Sequence, residues 1–409
     1  MTHSFWRNYG FLAAMLLGIA LGCAVGAVWQ GAACLAPLGT LFINLMFCLV
    51  VPLVFCSLAG SIANMRSRRR AGRILASTLG VFVVTGLFAA LVMLFIVRVF
   101  PPVLEPWTQL AVGVVEDPTP LAELIVNFFT VDDFSALLSR RAMLPLIVFS
   151  LLFGFSVSAC GGPNTITARV LDDATKCLLK MVSLVSCYAP IAFFGFFASM
   201  VASYGAQITR DYARALLAYY PLCFLYALLA FPLLAYLGAG HEGVRRLRRH
   251  VFRPAVTALG TCSSVATIPA NMEAAERSGI PREVSDLVLP LGATMHMDGS
   301  CFSCVLKVAF LFGVFGLPFE GTGLYLQVLA VAVFSSVAMS GIPGGGYIAE
   351  FILCSLFFPN DMAVAYPIAV TIGNLVDPPA TMVNAAGDYA ACFLVARVTG
   401  GEGYSERAE

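Results

Sequence analysis

Charge is what this sequence has least of. Of its 409 residues only 11% are Asp, Glu, Lys or Arg, against about 25% in an ordinary soluble domain. That leaves too little polar surface to coat a water-soluble fold, and it overrules the two or three soluble domains that length alone suggests. A net charge of +1 gives no pointer to nucleic acid, and none is expected as a partner. The thirteen cysteines lack metal-ligand spacing: most sit within apolar runs, as small core or lipid-facing residues in a reduced setting. No Cys or His forms a defensible nucleophile pair. The glycine that a membrane aspartyl protease needs two residues before Gly387 is replaced by Ala385. Neither an enzyme nor a cofactor is expected.

Apolar length is what the sequence has in excess, with 59% hydrophobic residues. Phe11 to Val28 and Leu35 to Met65 carry no charge at all, and a run of about 18 residues already spans a ~30 Å hydrocarbon layer. The reading is a polytopic helical membrane protein with spans near 11–31, 36–65, 72–99, 143–160, 174–204 and 213–238. Arg66, Arg68, Arg69, Arg70 and Arg73 crowd one gap between spans; Arg245, Arg246, Arg248, Arg249 and Arg253 crowd another. Short basic loops stay in the cytoplasm. Both clusters follow an even number of spans, so the N-terminus is expected inside, in a cytoplasmic membrane. Arg7 ahead of the first run suits an uncleaved signal-anchor, since a second span follows at once.

After Val251 the pattern changes to short apolar stretches broken by Gly, Pro, Ser and acids. Ser263-Ser264-Val265-Ala266 reaches Ile268-Pro269, and Ser335-Ser336-Val337-Ala338 reaches Ile342-Pro343. Downstream of the first lies Ala293-Thr294-Met295, running on to Asp298; downstream of the second lies Ala380-Thr381-Met382, running on to Asp388. Interrupted segments at matching places in two halves point to a carrier's binding site. Broken helices expose backbone groups that lipid cannot satisfy, so they persist only around a cavity or solute. Asp298, Glu350, Asp377 and Asp388 fall in or beside these segments, with His296 and Lys307 near them. Ionisable groups at that depth line a pathway or pair with each other.

These residues closely resemble the glutamate/aspartate transporter family, the dicarboxylate and amino acid:cation symporters, over nearly the whole chain. The most specific stretches are the Ser-rich first tip, Leu289-Pro290-Leu291-Gly292-Ala293-Thr294, Met297-Asp298-Gly299, Gly341-Ile342-Pro343-Gly344, Thr381-Met382-Val383-Asn384 and Gly387-Asp388. The resemblance implies an all-α fold of eight transmembrane helices plus two re-entrant helical hairpins, with scaffold and elevator-type transport domains, assembled as a homotrimer. It divides the chain into 1–72 (helices one and two), 73–142 (helix three and the start of four), 143–212 (helices four and five) and 213–252 (helix six). Hairpin one follows at 253–285, helix seven at 286–316, hairpin two at 324–358, helix eight at 363–397 and a cytoplasmic tail at 398–409. Residues 1–72 and 143–212 would be scaffold.

The resemblance also implies roles. Asp377 would hold a substrate ammonium. Asn384 would hold the α-carboxylate, helped by backbone N–H groups around Ser263 and Ser264. Ser300, Ala380 and Thr381 would line the pocket, and a lid running through Val337 and Gly341 would close it. Acidic-substrate members carry an arginine just before the threonine, where this chain has Ala380, and a supporting aspartate one turn earlier than the amine-binding one, where it has Gly373. Cys262 opens the Ser-rich tip, so no arginine substitutes from that side. A second substrate carboxylate would be buried without a partner. The expected activity is therefore secondary active symport of a small neutral amino acid. The alternatives are an acidic amino acid or dicarboxylate symporter with an atypical pocket, or an anion channel of the same fold. Pro378-Pro379 is expected to distort helix eight.

Coupling by sodium, protons or both is expected. One cation site would use Asp388 with Asn384 and Gly292. A second would use backbone oxygens around Met297, Ser336, Val337 and Met339. A third would use Asp298, but its partner asparagine is His296, and its helix-three set reads Phe82, Thr85 and Gly86. So few oxygen ligands make a poor sodium site. Protonated His296 beside Asp298 is expected to replace that ion, since a neighbouring carboxylate favours imidazolium while burial opposes it. Glu350 and Lys307 are expected to form a buried pair between hairpin two and helix seven, with Glu350 the lesser proton-coupling candidate.

Overall fold

The computed structural model describes residues 14, 17–63, 69–107, 130–139, 142–204, 207–338 and 346–400. Among them there is no strand. The chain runs through α1 (Leu17–Val28), a 3-10 segment (Gln30–Leu35), α2 (Ala36–Ala63) and α3 (Arg69–Val99). A one-turn α4 (Phe134–Leu137) then precedes α5 (Met143–Ala159), α6 (Ile166–Ser186), α7 (Ala189–Tyr204) and α8 (Gln207–His250). The later half comprises α9 (Phe252–Thr261), α10 (Ser264–Arg277), α11 (Arg282–Met295), α12 (Asp298–Val314), α13 (Thr322–Ala338), α14 (Gly346–Phe357) and α15 (Met362–Gly400). Arg73–Val99, Ile208–His250 and Arg282–Val314 are long and apolar enough to cross a membrane.

Packing begins with small residues. Gly18, Gly22 and Gly26 form a stripe one turn apart on α1, and all three are buried. A methyl at each would overlap the backbone carbonyl of Pro190, Phe194 or Ala198 on α7. With no solvent to drive apolar surfaces together inside lipid, such close backbone approach is what holds two helices in contact.

Two expected boundaries need correction. The single span expected at 174–204 is two helices, α6 and α7, separated by a turn at Cys187–Tyr188. Pro190 sits in the first turn of α7, a position that tolerates the missing N–H, and the residue before a proline resists continuing a helix. The apolar run was continuous, so composition alone did not show the stop. The expected junction at 285/286 falls inside α11, which starts at Arg282. Gly279 takes φ +72 and Pro281 occupies the N-cap, and together they end one helix and start the next.

The span expected to end at 238 does so by a defined break. Within α8, Ala239 (φ −143) and Gly240 (φ +61) leave helical geometry, and a basic segment follows. Arg246 of that segment bonds Glu242 at 2.8 Å and donates to the Ser278 carbonyl at 3.1 Å. The Ser278 hydroxyl lies 2.5 Å from that of Tyr389 on α15.

α9 and α10 form a helix pair joined at Cys262, whose left-handed backbone (φ 49) makes the reversal. The Ser263 side chain caps α10 by accepting from the Ala266 N–H at 3.2 Å. α15 is buried for most of its length and packs against α3, α8, α9, α10, α11, α12 and α14. It stays helical through Pro378–Pro379, where the sequence predicts a distortion. Pro379 cannot donate to the carbonyl of Leu375 four residues back. The Tyr220 hydroxyl of α8 donates to that carbonyl instead, at 2.7 Å.

Candidate functional site

The helix read as one span at 286–316 is interrupted. His296 (φ −95, ψ 97) and Met297 (φ −129, ψ 49) leave helical geometry between α11 and α12. The backbone groups freed there find partners on neighbouring helices. Gly299 N–H donates to Asn384 Oδ1 at 2.8 Å, and the Gly299 carbonyl accepts from the Tyr219 hydroxyl at 2.6 Å. The Asn384 amide nitrogen donates to Ser300 Oγ at 3.1 Å and lies 3.2 Å from Met297 Sδ. Asn384, Ser300 and Met297 are thus brought together, although the sequence reading set Asn384 and Met297 in different cation sites, and Asn384 straps the break to α15. Gly299 permits this because a methyl would overlap the Ala380 backbone. Gly299→Ala is expected to lever α12 off α15, costing about 1–3 kcal/mol of overpacking strain. A lowered thermal midpoint of the purified protein, with reduced uptake, checks it.

Asp377 lies one turn before Thr381, whose hydroxyl donates to its Oδ1 at 3.1 Å. Asp377 is half-buried, and Ala380 beside it is buried and apolar. Ser263 and Ser264, at the turn between α9 and α10, are both buried. Asn271 of α10 donates to the Ala385 carbonyl at 2.7 Å, which holds the pair against α15. Ser336 and Val337 fall in the last turn of α13, while Met339 and Gly341 lie outside the described residues.

The two acids assigned to separate cation sites meet through one ring. His296 Nδ1 is 2.9 Å from Asp388 Oδ1, while Nε2 is 3.0 Å from Thr85 Oγ1 and 3.4 Å from Asp298 Oδ2. Phe82 stacks on the imidazole with centroids 4.4 Å apart and planes 12° from parallel. The Tyr226 hydroxyl donates to Asp298 Oδ2 at 2.7 Å. Two glycines make the space: a methyl at Gly292 would overlap the Asp388 carboxylate, and one at Gly387 would stand 3.1 Å from the ring. Asp298 Oδ1 and Asp388 Oδ2 accept no hydrogen bond among the described residues. No group of three or more His, Cys, Asp and Glu among those residues is arranged to hold a metal ion. Tyr219 and Tyr226, on a helix with no recognisable motif, were missed from sequence.

Lys307 of α12 and Glu350 of α14 form the expected pair, with both side chains buried. Gly373 of α15 lies directly beneath it, since a methyl there would overlap Glu350 Oε1 and stand 3.3 Å from Lys307 Nζ.

An apolar helical chain with long membrane-crossing segments, and with its acids gathered around interrupted helices, has the makings of a multi-pass membrane carrier. Residues 11–398 match the model of the sodium:dicarboxylate symporter family, and the chain belongs to that family. The resemblance read from the motifs is thereby borne out; symport is not an enzyme class. The C4-dicarboxylate transport protein of Caulobacter vibrioides is 28% identical over 396 residues, covering 94% of each chain. That of Deinococcus radiodurans is 25% identical, covering 94% of this chain and 88% of its own. The proton/sodium-glutamate symport protein of Bacillus caldotenax is 24% identical, covering 96% of each.

Proposed function

We propose that this chain is a secondary active symporter whose substrate is a small neutral amino acid. One observation carries the reading. Asp377 offers a carboxylate to an ammonium, while the place for a second substrate carboxylate is lined by Ala380 and Gly373. The buried cation nearest that place, Lys307, is already held by Glu350. The relatives are named for dicarboxylates and glutamate, which carry two carboxylates, and a second one buried here would lack a bidentate partner.

Coupling rests on His296. In this reading its protonated ring, between Asp298 and Asp388, stands in for a bound cation, so part of the drive comes from protons. Sodium remains a coupling ion through backbone oxygens and Asp388. Glu350 is better suited to a fixed pair with Lys307 than to carrying a proton. The reading includes re-entry of the α9–α10 and α13–α14 pairs, an elevator movement of the site, assembly as a trimer, and cytoplasmic termini in an inner membrane.

Counterflow in proteoliposomes tests it, with each amino acid, succinate and glutamate assayed with and without sodium between about pH 5 and 8. Saturable counterflow of neutral amino acids is expected, with a pH dependence in wild type that His296→Asn flattens. Counterflow of succinate or glutamate alone sinks the substrate reading. Superimposable pH profiles in the two proteins sink the proton reading.

A further inference from the structure

Lys307 and Glu350 have no role in gripping an ammonium or an α-carboxylate, yet they border the place where the rest of a substrate would reach. Gly373, Asp377, Ala380, Thr381 and Asn384 follow one another along α15 at steps of four, three, one and three, so they share one helix face. The pair rests on that face at Gly373, one turn from Asp377. Glu350 Oε1 is taken by Lys307, while Oε2 is buried and accepts nothing among the described residues.

A buried carboxylate oxygen without a donor is costly, and the cost is relieved by any ligand that brings an O–H or N–H to it. Lys307 balances the charge of Glu350, so the site as a whole asks for a neutral donor rather than a second cation. A substrate carboxylate would meet like charge at Oε2. An aliphatic side chain would leave that oxygen as it stands.

Building on the neutral amino acid reading, we propose that the Lys307–Glu350 pair forms the substrate's side-chain subsite, with Glu350 Oε2 selecting neutral side chains that donate a hydrogen bond. The substrate class is then hydroxyl- and amide-bearing amino acids, with Lys307 and Glu350 as specificity-determining residues.

Shape-matched pairs test this in proteoliposomes of the full-length protein: threonine against valine, serine against alanine, and glutamine against methionine. Wild type is expected to favour the donor-bearing member of each pair in kcat/KM by about 10-fold or more, because sites built to bond a substrate hydroxyl reject the analogue lacking it. The double variant Lys307→Met/Glu350→Met removes the acceptor and both charges together, and the threonine:valine ratio should fall toward one. Equal handling within each pair by wild type overturns the subsite while leaving the neutral substrate class intact. A preference that survives in the double variant overturns the role of Glu350. Failure of all six compounds, with succinate or glutamate exchanging instead, removes the underlying substrate reading.

Discussion

Asp377→Asn should raise the KM for a neutral amino acid at least about 30-fold while leaving the thermal midpoint nearly unchanged. The asparagine oxygen can still accept from Thr381, which bonds Asp377 at 3.1 Å, so the local scaffold keeps its contact. What disappears is the charge opposite the ammonium. Truncating one partner of a buried, hydrogen-bonded charge pair costs about 2–5 kcal/mol, and each 1.4 kcal/mol is about tenfold in affinity. The sign of the effect separates substrate classes. A dicarboxylate has no ammonium and would be repelled by Asp377, so its transport should improve in the same variant. Counterflow with threonine and with succinate, in wild type and Asp377→Asn, reads both directions in one experiment. Unaltered threonine KM would remove Asp377 from the site.

Lys307→Met is the second large effect, and it acts on stability. The substitution leaves Glu350 buried among α12, α14 and α15 with no cation beside it. Breaking a buried pair from one side costs about 3–5 kcal/mol, whereas replacing both members with apolar residues of similar size is often neutral. Lys307→Met should therefore lower the thermal midpoint sharply, and Lys307→Met/Glu350→Met should recover most of the loss. A double variant as unstable as the single one would mean that the cost lies in packing rather than charge.

The architecture was legible because lipid imposes simple demands. Charge-free runs marked α1 and α2, and the Ser263-Ser264-Val265-Ala266 stretch marked the reversal between α9 and α10. The Lys307–Glu350 pair was also readable, because two opposite charges in apolar surroundings have few alternatives to each other. Other features were hidden for physical reasons. The turn at Cys187–Tyr188 lies inside an unbroken apolar run, and hydropathy does not register a change of direction. The helicity of α15 through Pro378–Pro379 depends on Tyr220, a residue some 160 positions away, supplying a bond to the Leu375 carbonyl. Tyr219 and Tyr226 reach the α11–α12 break from another helix, and no local pattern encodes which tyrosine faces inward. Sequence placed Asp298 and Asp388 in two cation sites. Only three-dimensional packing shows one imidazole touching both, with Gly292 and Gly387 clearing its surroundings.

The glycine stripe of α1 has a consequence for biogenesis. Its docking surface on α7 is synthesised about 170 residues later, and the glycines can meet Pro190, Phe194 and Ala198 only after that stretch leaves the ribosome. Until then this seam of the first helix lacks the backbone it packs against. Synthesis of the first helix and closure of this seam are therefore separate events in time.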